Sequence, residues 1–438
     1  MSKIDLTQKP GSLQAWLDYL DSIDPNKMKL GLERIKVVLE RLNLSLFNEI
    51  PVITVAGTNG KGSTAALIAN ALNFSKIKTG LYTSPHLHKF NERVNIGGLD
   101  VTDEALVKAF STVFDNAQDV PLSYFEYTTL AALICFANAH CGAVVLEVGL
   151  GGRLDATNAI DADIAVITSI GLDHCAILGD TIDKIAYEKA GIVNENCQVV
   201  TGPMENKALQ AIKEQCDLKQ AHLYAANDNY TASFKDGFSY IQKTSCNIST
   251  YKYPYPKVPY ICAPVAIRAL LLLKEQGVKV THDGVVKAIK NTSLPGRMQL
   301  VNFAPMVYLD VAHNPPAATH IVNTIKNRAL ISKRVAVMGM LKDKDIESVL
   351  SIVKDSFDKF YVATLHTVRG ESKERLVSAL IKAGVNKDKI VAFDYVKDAL
   401  DKALKDAQKT DEIIVCGSFV TVSEAQDELK ALKDKAVK

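Results

Sequence analysis

A short stretch near residue 60 has the residue types and the spacing that a phosphate-binding site needs. Val52 to Ala56 is an apolar run rich in β-branched residues and predicts a buried strand. A glycine-rich turn follows, and Ala65 to Leu72 then predicts a buried helix. In such a strand–loop–helix arrangement the backbone N–H groups face an anion, and Lys61 adds a positive charge. A hydroxyl of Ser63 or Thr64 would face phosphate or Mg²⁺.

The loop departs at two positions from the common phosphate-loop pattern G-x-x-x-x-G-K-[ST]. Val55 stands where the first glycine would be, and Gly62 stands where the hydroxyl residue would be. An ordinary glycine-rich turn between a strand and a helix would also account for the loop alone. The candidate phosphate-binding residues are Gly57, Thr58, Asn59, Gly60, Lys61, Gly62 and Ser63.

Three more polar residues follow other candidate strands. Ser84, Glu147 and His174 each lie at or just beyond the C-terminal end of a different apolar run, as Lys61 does. Ligands bind outside the carboxyl ends of the strands in open parallel sheets, so these groups should share one rim. Oxygen ligands beside nucleotide phosphates suit Mg²⁺. Taken singly, Ser84 could cap a helix, Glu147 could pair with an arginine, and His174 could be a loop histidine without a ligand.

Length and composition limit the class of protein. A chain of 438 residues is too long for one core and predicts two or three domains. A net charge of +2 without a basic stripe argues against a nucleic-acid partner, and no run of 18 apolar residues indicates a membrane span. The eight cysteines are scattered without a C-x-x-C pair, so we expect reduced thiols in a cytoplasmic protein.

Changes of composition along the chain indicate its organisation. A polar segment rich in Tyr and Pro predicts a β-rich excursion at about 224–260, and Leu294 to Arg297 predicts a turn at a domain linker. Strand and helix patterns then alternate, which predicts a smaller doubly wound domain. We therefore expect an α/β protein with an N-terminal domain of residues 1–296 and a C-terminal domain of residues 297–438.

A set of motifs gives the chain a family resemblance. The motifs are G-T-N-G-K-G-S-T, S-P-H-L, S-Y-F-E-Y, L-E-V-G-L-G-G-R-L-D-A-T-N, L-D-H, E-K-A-G-I, L-P-G-R, D-V-A-H-N-P and V-C-G-S-F. With these motifs the chain resembles the folylpolyglutamate synthases, in their bacterial bifunctional form with dihydrofolate synthase activity, which are a branch of the Mur-type ligases. The run from Leu146 to Asn158 alone has 13 matching residues, and the motifs follow the family order from about residue 30 to residue 420.

The resemblance implies a fold and an activity. The fold would be a phosphate-loop domain of the Mur-ligase type with a parallel sheet, followed by a smaller Rossmann-like C-terminal domain. ATP would phosphorylate a carboxylate of the pterin substrate, and the amine of L-glutamate would displace the phosphate to form an amide. The substrates would be ATP, L-glutamate, dihydropteroate and reduced folates. The family is usually monomeric, so the resemblance also implies a monomer.

The resemblance assigns roles to particular residues. Lys61 and the loop amides would hold the ATP phosphates, and Arg297 and Asp310 would contact ATP. Two Mg²⁺ ions are implied, one on Ser84 and Glu147 and a second near His174. The dihydropteroate or folate site would be lined by Ser123, Tyr124, Phe125, Glu126, Leu154, Asp155 and Ala156. Lys189 of the E-K-A-G-I motif would be carbamylated, which turns a cation into an anion that supports Mg²⁺.

Several alternatives remain open. The chain could be a monofunctional folylpolyglutamate synthase, or a Mur enzyme of cell-wall synthesis, although S-Y-F-E-Y and L-D-A-T-N favour the folate branch. A phosphate-loop switch, a transport ATPase or a nucleotide-binding regulatory module would share only the loop. Lys189 could be an unmodified lysine that caps a helix, and Tyr124 and Phe125 could be core aromatics.

Two residues differ from those that are usual in the family, and each difference leads to a prediction about substrate binding. Val265 stands where the family usually has an asparagine that contacts the nucleotide, so we expect Val265 to pack against the adenine and discrimination between ATP and GTP to be weaker. Ser123 stands where the family often has threonine, which keeps the hydroxyl but loses a methyl group. We expect a somewhat looser dihydropteroate site.

Overall fold

The chain folds into two compact units, which contain residues 1–292 and 293–438. The computed structural model describes residues 9–22, 30–235, 237–244, 246–326 and 332–437. The domain boundary that we predicted after residue 296 falls just inside the second unit and stays a prediction. In these described stretches, no helix combines the length and the apolar character that crossing a membrane requires.

The first unit is built on a mixed eight-stranded sheet. Its strands are β1 (Val52–Ala56), β2 (Thr79–Tyr82), β3 (Val94–Ile96), β4 (Leu99–Asp100), β5 (Ala143–Glu147), β6 (Ile164–Ile167), β7 (Gln198–Thr201) and β8 (His222–Ala225). They lie in the order β4-β3-β2-β5-β1-β6-β7-β8. The strands from β2 to β8 in this order are parallel, and β3 and β4 continue the sheet antiparallel.

The central strands are mostly apolar, as expected for parallel strands that are buried on both faces. Every residue of β1, β5 and β6 is buried. The helices of this unit are α1 (Leu13–Ser22), α2 (Glu33–Leu42), α3 (Lys61–Phe74), α4 (Asp103–Ala117), α5 (Tyr124–Asn138), α6 (Cys175–Leu178), α7 (Ile182–Ala190), α8 (Asn206–Leu218), α9 (Cys262–Glu275) and α10 (His282–Asn291). Helices α3 and α5 are buried on nearly all sides, which explains why their sequences lack a polar face.

A small antiparallel sheet lies within the segment where we expected a β-rich excursion. Its strands are β9 (Tyr230–Ser233), β10 (Phe238–Lys243) and β11 (Ile248–Tyr253), in the order β11-β10-β9. Phe238 and Tyr240 alternate along β10 and are buried, while most of the edge strand β11 is exposed. The alternation is typical of a sheet with one face packed and one face in solvent.

The second unit is a smaller doubly wound domain. Its strands are β12 (Gln299–Phe303), β13 (Met306–Asp310), β14 (Arg334–Met338), β15 (Lys359–Ala363), β16 (Ile390–Phe393) and β17 (Glu412–Cys416). Their order is β12-β13-β17-β14-β15-β16, with only β12 antiparallel to its neighbour. Its helices are α11 (Pro315–Lys326), α12 (Ile346–Val353), α13 (Lys373–Lys382), α14 (Val396–Asp406) and α15 (Phe419–Val437). The predicted α/β class with parallel sheets is confirmed.

Candidate active site

Four neighbouring parallel strands bring the predicted rim together. Strands β2, β5, β1 and β6 lie side by side in this order. Ser84 follows β2, Glu147 ends β5, the phosphate loop follows β1, and His174 comes after β6. Parallel pairing places all four carboxyl ends at one edge of the sheet. The four candidate site elements, which follow four different strands, therefore lie at the same edge of the sheet.

The phosphate loop adopts a conformation that requires glycine at Gly57. Gly57 has a φ of 145°, and a Cβ atom there would lie 2.0 Å from Oγ1 of Thr168. Gly60, with a φ of 85°, precedes the first residue of α3, which is Lys61. The Lys61 ammonium donates to the carbonyl oxygen of Gly57 at 3.0 Å and to that of Thr58 at 3.4 Å. The lysine is thus folded over its own loop.

The backbone N–H groups of the loop divide into two sets. Those of Thr58 and Asn59 donate to Ser169, at 2.8 Å and 3.1 Å. Those of Gly60 and Gly62 donate to no acceptor in the described part of the chain. The second set lies at the N-terminus of a 14-residue helix, where unpaired N–H groups and the helix dipole favour an anion. This is the geometry that nucleotide phosphates need.

Glu147 explains why Gly62 replaces the usual hydroxyl residue. The Glu147 carboxylate is 4% exposed, and its Oε2 accepts the Ser84 N–H at 3.0 Å. A Cβ atom on Gly62 would lie 3.2 Å from Oε2 and 3.3 Å from Oε1. The carboxylate therefore occupies the space beside the loop that a serine or threonine side chain would need, and glycine is the residue that leaves it there.

The donor set at this edge fits a divalent cation of the Mg²⁺ type. Ser84 and Glu147 are joined directly by a hydrogen bond, and they offer a hydroxyl and a carboxylate. No group of three or more His, Cys, Asp and Glu residues in the described stretches is arranged to hold a metal ion. Mg²⁺ does not require such a cage, because it keeps several waters and takes oxygens from substrate phosphates. The residues present therefore fit Mg²⁺ better than a metal that is fully enclosed by protein.

His174 has a different setting from Ser84 and Glu147. It has a φ of 53° and directly precedes the short helix α6. Its side chain is 38% exposed, and its Nε2 lies 3.9 Å from a carboxylate oxygen of Asp173. In strand order it lies on the other side of β1 from Glu147. Its role as a ligand of a second metal ion stays a prediction.

Lys189 is a buried lysine at the phosphate loop. It lies in the last turn of α7, is 5% exposed, and donates to the carbonyl oxygen of Gly57 at 3.0 Å. Burial lowers the pKa of Lys189 to about 7, and the positive charge of Lys61 acts in the same direction. A large fraction of this amine is therefore neutral near pH 7, and a neutral amine is nucleophilic. The carbamylation that the resemblance implies needs such an amine.

Ser123 and Glu126, predicted to line the pteroate site, cap helix α5. The Ser123 Oγ accepts the Glu126 N–H at 3.3 Å, and the Glu126 carboxylate accepts the Ser123 N–H at 2.7 Å. Arg34 donates to the same carboxylate oxygen at 3.2 and 3.3 Å. The S-Y-F-E sequence is thus a capping box, which sequence reasoning missed although S-x-x-E before an apolar run is its signature. The contact of Ser123 and Glu126 with a pteroate substrate stays a prediction.

Phe125 and Tyr124 lie at the start of the same helix and are half buried. The Phe125 ring is 5.8 Å from the Tyr82 ring, centroid to centroid. A Cβ atom on Gly149 would lie 2.5 Å from Phe125, so the ring rests directly on the loop that follows Glu147. The Tyr124 ring lies 5.8 Å from the guanidinium carbon of Arg93. Their contact with a pterin stays a prediction.

Asp155 organises the loop between β5 and β6. Its carboxylate accepts the Leu150 N–H at 2.9 Å, and the N–H and the hydroxyl of Thr157 at 3.0 and 2.7 Å. Burial raises its pKa, although these hydrogen bonds act in the opposite direction. The neighbours Leu154 and Ala156 are half buried and buried. The structure gives Asp155 a clear structural role, and its contact with substrate stays a prediction.

Arg297 and Asp310 lie close together in the second unit. Asp310 ends β13 and accepts the N–H groups of Met298 and Ala312, both at 2.8 Å. Burial raises the pKa of Asp310, and the charge of Arg297 opposes this shift. The Arg297 guanidinium lies 5.3 Å from the centroid of the Phe419 ring. Their contact with ATP stays a prediction.

Val265 has to be reassigned. It lies on α9 and has no exposed surface, and a Cβ atom on Gly202 would lie 3.3 Å from its Cγ2. A side chain enclosed in this way belongs to the core between α9 and the end of β7. The prediction that Val265 packs against the adenine is therefore wrong for this structure, and the argument from it to weaker discrimination between ATP and GTP loses its basis.

Comparisons with known proteins identify the family of the chain. Residues 55–260 match the Mur ligase middle domain, and residues 296–419 match the family described as Mur ligase, glutamate ligase domain. The fold and the phosphate-loop site are therefore those of a Mur-type ligase. The chain is 39% identical over 428 residues to the dihydrofolate synthase/folylpolyglutamate synthase of Escherichia coli, with 97% of each chain covered. It is 31% identical to the Bacillus subtilis protein of the same name, with 92% of this chain and 96% of the relative covered.

Solved structures give the same result. E. coli FolC in complex with DHPP and ADP matches with a TM-score of 0.89 and 37% identity, over 97% of this chain and 99% of that chain. A bifunctional folylpolyglutamate synthase/dihydrofolate synthase with Mn, AMPPNP and L-glutamate bound matches with a TM-score of 0.86 and 36% identity, over 97% and 100% of the two chains. The chain belongs to the dihydrofolate synthase/folylpolyglutamate synthase family.

Proposed function

We propose that this chain is an ATP-dependent ligase that adds L-glutamate to dihydropteroate, forming dihydrofolate, and to reduced folates, forming polyglutamates. The proposal rests on the arrangement of charged groups at the phosphate loop. The buried carboxylate of Glu147 lies against the loop at Gly62. Lys61 and Lys189 both donate to the Gly57 carbonyl. Enzymes that transfer phosphoryl groups use such a combination of a phosphate-binding loop, amines and a carboxylate at one edge of a sheet. The bound nucleotides, L-glutamate and DHPP of the relatives support the choice of substrates.

The reaction would proceed in two steps, formation of an acyl phosphate and its displacement by L-glutamate. A carboxylate oxygen of the pterin substrate attacks the γ-phosphorus of ATP, the bond to the β-phosphate oxygen breaks, and ADP leaves. The amine of L-glutamate then attacks the acyl carbon of the mixed anhydride, phosphate leaves with the electrons of the broken bond, and the amine loses a proton. The protein contributes mainly position and charge to such a transfer.

The residues of the chain have distinct tasks in these steps. The N–H groups of Gly60 and Gly62 bind phosphate oxygens, and Lys61 supplies the positive charge that offsets the charge developing on them. A bound Mg²⁺, held by Ser84 and Glu147, would neutralise the nucleotide phosphates. A solved structure of a relative holds Mn together with AMPPNP and L-glutamate, which supports a divalent metal in this site. We propose Mg²⁺ as the ion here, with His174 at a second site.

A carbamate on Lys189 would add a negative charge beside the loop. Its neutral amine is the form that takes up CO₂, and burial of the side chain makes this form available near pH 7. An anion at this position would support Mg²⁺, and an unmodified ammonium would repel it. We propose carbamylation as the active state of Lys189.

The remaining assignments are proposals that follow from the family. The pteroate site is formed by Ser123, Tyr124, Phe125, Glu126, Leu154, Asp155 and Ala156, and Arg297 and Asp310 contact ATP. The protein acts as a cytoplasmic monomer, and a reducing compartment suits Cys135 and Cys416, whose thiols are buried in the core.

One assay tests the proposed function. Phosphate release from ATP is measured with dihydropteroate and L-glutamate together, and with each omitted in turn. We expect turnover only when both are present, together with formation of dihydrofolate. An ATPase that runs at full rate without L-glutamate would show a switch or a motor instead. Extension of reduced folates without any turnover of dihydropteroate would indicate a monofunctional folylpolyglutamate synthase.

A further inference from the structure

Two hydroxyl side chains connect the phosphate loop to the segment that follows β6. Each of them forms hydrogen bonds with both the N–H and the carbonyl of one residue in the other segment. The Ser169 Oγ donates to the Asn59 carbonyl at 3.0 Å and accepts the Asn59 N–H at 3.1 Å. The Thr58 Oγ1 donates to the Gly171 carbonyl at 3.1 Å and accepts the Gly171 N–H at 3.0 Å. The Thr58 N–H also donates to the Ser169 carbonyl at 2.8 Å. We call these four residues the hydroxyl clamp.

The clamp continues the sheet where strand pairing ends. The last pair of residues between β1 and β6 is Ala56 with Ile167, and beyond it both segments continue as loops. A hydroxyl oxygen can donate one hydrogen bond and accept others, so Ser169 and Thr58 each replace a missing backbone partner. Both side chains are half buried, where hydrogen bonds are less exposed to competition from water.

The clamp decides which groups of the loop are left for a ligand. It uses the N–H groups of Thr58 and Asn59, and the Asn59 carbonyl also accepts from Oγ1 of Thr168 at 2.7 Å. The N–H groups of Gly60 and Gly62, which donate to no described residue, then remain for an anion. A loop fixed in this way loses little conformational entropy when it binds phosphate, and such preorganisation increases affinity.

We propose that the Ser169 and Thr58 hydroxyls are positioning groups that hold the phosphate loop in its nucleotide-binding conformation and so set the affinity for ATP and ADP. This inference rests on the proposed function, and it adds Ser169, which the sequence did not single out. Its effect should appear in nucleotide binding and in the KM for ATP. The kcat of the Ser169 variants should change little, because the Ser169 hydroxyl is not among the candidate phosphate-binding groups.

Calorimetric titration of the full chain with ADP and Mg²⁺ tests the proposal without needing turnover. We expect Ser169→Ala to weaken ADP binding about tenfold, which corresponds to about 1.4 kcal/mol. Ser169→Thr keeps the hydroxyl and should restore the affinity to within about threefold. Ser111→Ala is the matched control, since the Ser111 hydroxyl donates to Val107 in its own helix α4, and it should bind ADP as the wild type does.

Kinetics on the same proteins separate positioning from general stability. We expect the KM for ATP to rise with the ADP dissociation constant, while the KM for L-glutamate and the kcat stay within about threefold. A variant that lowers the melting temperature and raises all KM values alike would show a merely structural role and overturn the proposal. A folded Ser169→Ala protein that binds ADP as tightly as the wild type would also overturn it.

The second hydroxyl provides an independent route to the same answer. Thr58→Val removes the hydroxyl at almost constant volume, and Thr58→Ser keeps it, so this pair carries the test if Ser169→Ala does not fold. In the double variant Thr58→Val with Ser169→Ala, the loss of ADP affinity should be smaller than the product of the two single losses. The reason is that each single change already loosens the same clamp. Fully multiplicative losses would show that the hydroxyls do not act as a unit. A wild type that fails to bind ADP would contradict the proposed function itself.

Discussion

Glu147 is a buried residue at the end of β5, beside the phosphate loop, and we have proposed it as a metal ligand. Burying a carboxylate costs free energy unless hydrogen bonds or a cation compensate. The Ser84 N–H is one hydrogen-bond partner of this carboxylate, and the packing against Gly62 holds the group beside the phosphate loop. A metal ion bound with the nucleotide would add a favourable charge interaction with it.

The first prediction follows from the charge of Glu147. Glu147→Gln keeps the shape and removes the charge, so we expect ligation to fall more than a hundredfold while the far-UV circular dichroism spectrum and the melting temperature stay near those of the wild type. Activity is measured over a series of Mg²⁺ concentrations. Near-normal rates at saturating Mg²⁺ would contradict a role as metal ligand.

The second prediction follows from the lowered pKa of Lys189. Its amine is protonated below about pH 7 and neutral above it, whereas an ordinary lysine stays protonated to about pH 10. Only the neutral amine reacts with CO₂, so carbamate formation should rise as the pH increases through 7 and then level off. Carbon-13 NMR of protein incubated with labelled bicarbonate measures it.

Two variants check the assignment to Lys189. Lys189→Ala should lack the carbamate signal, be inactive, and recover part of its activity with acetate. Lys78→Ala is the control, since Lys78 is an exposed lysine that donates to a backbone carbonyl, and it should keep both the signal and the activity. Full activity of Lys189→Ala without acetate would refute a role for the modification.

At the scale of elements, the short loop before α3 is shaped by its neighbours as much as by its own sequence. Gly62 is in an ordinary helical position and is glycine because of the carboxylate on the adjacent strand, while Gly57 is glycine because of its φ and Thr168. Gly62, one of the two departures from the common phosphate-loop pattern, is therefore an adaptation to the carboxylate at the end of β5.

The third prediction tests this adaptation. Gly62→Ala places a methyl group about 3.2 Å from both carboxylate oxygens of Glu147, which is tighter than most such contacts. We expect the carboxylate to shift and the kcat to fall at least tenfold with a small change in melting temperature. Gly142→Ala is the control, because its nearest contact of 3.4 Å, to Ile77, is ordinary packing. Equal rates for the two variants would contradict the prediction.

The fourth prediction concerns the contact between the loop after β5 and helix α5. Gly149→Ala would place a methyl group 2.5 Å from the Phe125 ring, so the ring must move. If Phe125 lines the pteroate site, the KM for dihydropteroate should rise severalfold and the KM for ATP should stay unchanged. Steady-state kinetics with each substrate varied measures both. An unchanged KM for dihydropteroate would argue that Phe125 is a core aromatic only.

At the scale of the whole molecule, the first unit holds the phosphate loop, the metal-binding candidates and the pteroate candidates, and the second unit holds Arg297 and Asp310. Two glutamate acceptors of different size, dihydropteroate and a reduced folate, would have to present their carboxylates to the same edge of the first sheet. Bifunctionality therefore requires that one site accept both acceptors.

The fifth prediction is this bifunctionality. One preparation should add glutamate both to dihydropteroate and to a reduced folate, as two product assays by mass spectrometry would show. Phe125→Ala should reduce the first activity more than the second if pterin stacking serves mainly the dihydropteroate site. A wild type that extends reduced folates but never accepts dihydropteroate would show a monofunctional polyglutamate synthase.

The sequence by itself determined the class of fold and the edge at which the site lies. Short apolar runs such as Ala143 to Glu147, alternating with helix patterns, predict buried parallel strands, and the residues that follow such strands meet at one edge whatever the order of strands. The family motifs then assigned the candidate ligands. These features are local, because strand burial and loop chemistry depend on near neighbours in the chain.

The tertiary structure alone decided what lies next to what. It put Glu147 against Gly62 and Ser169 against Asn59, and it buried Val265, which sequence comparison had placed at the nucleotide. It also gave the Lys189 amine its low pKa, because burial and the charge of Lys61 are effects of space. These facts depend on contacts between residues that are far apart in sequence, and no local pattern contains them.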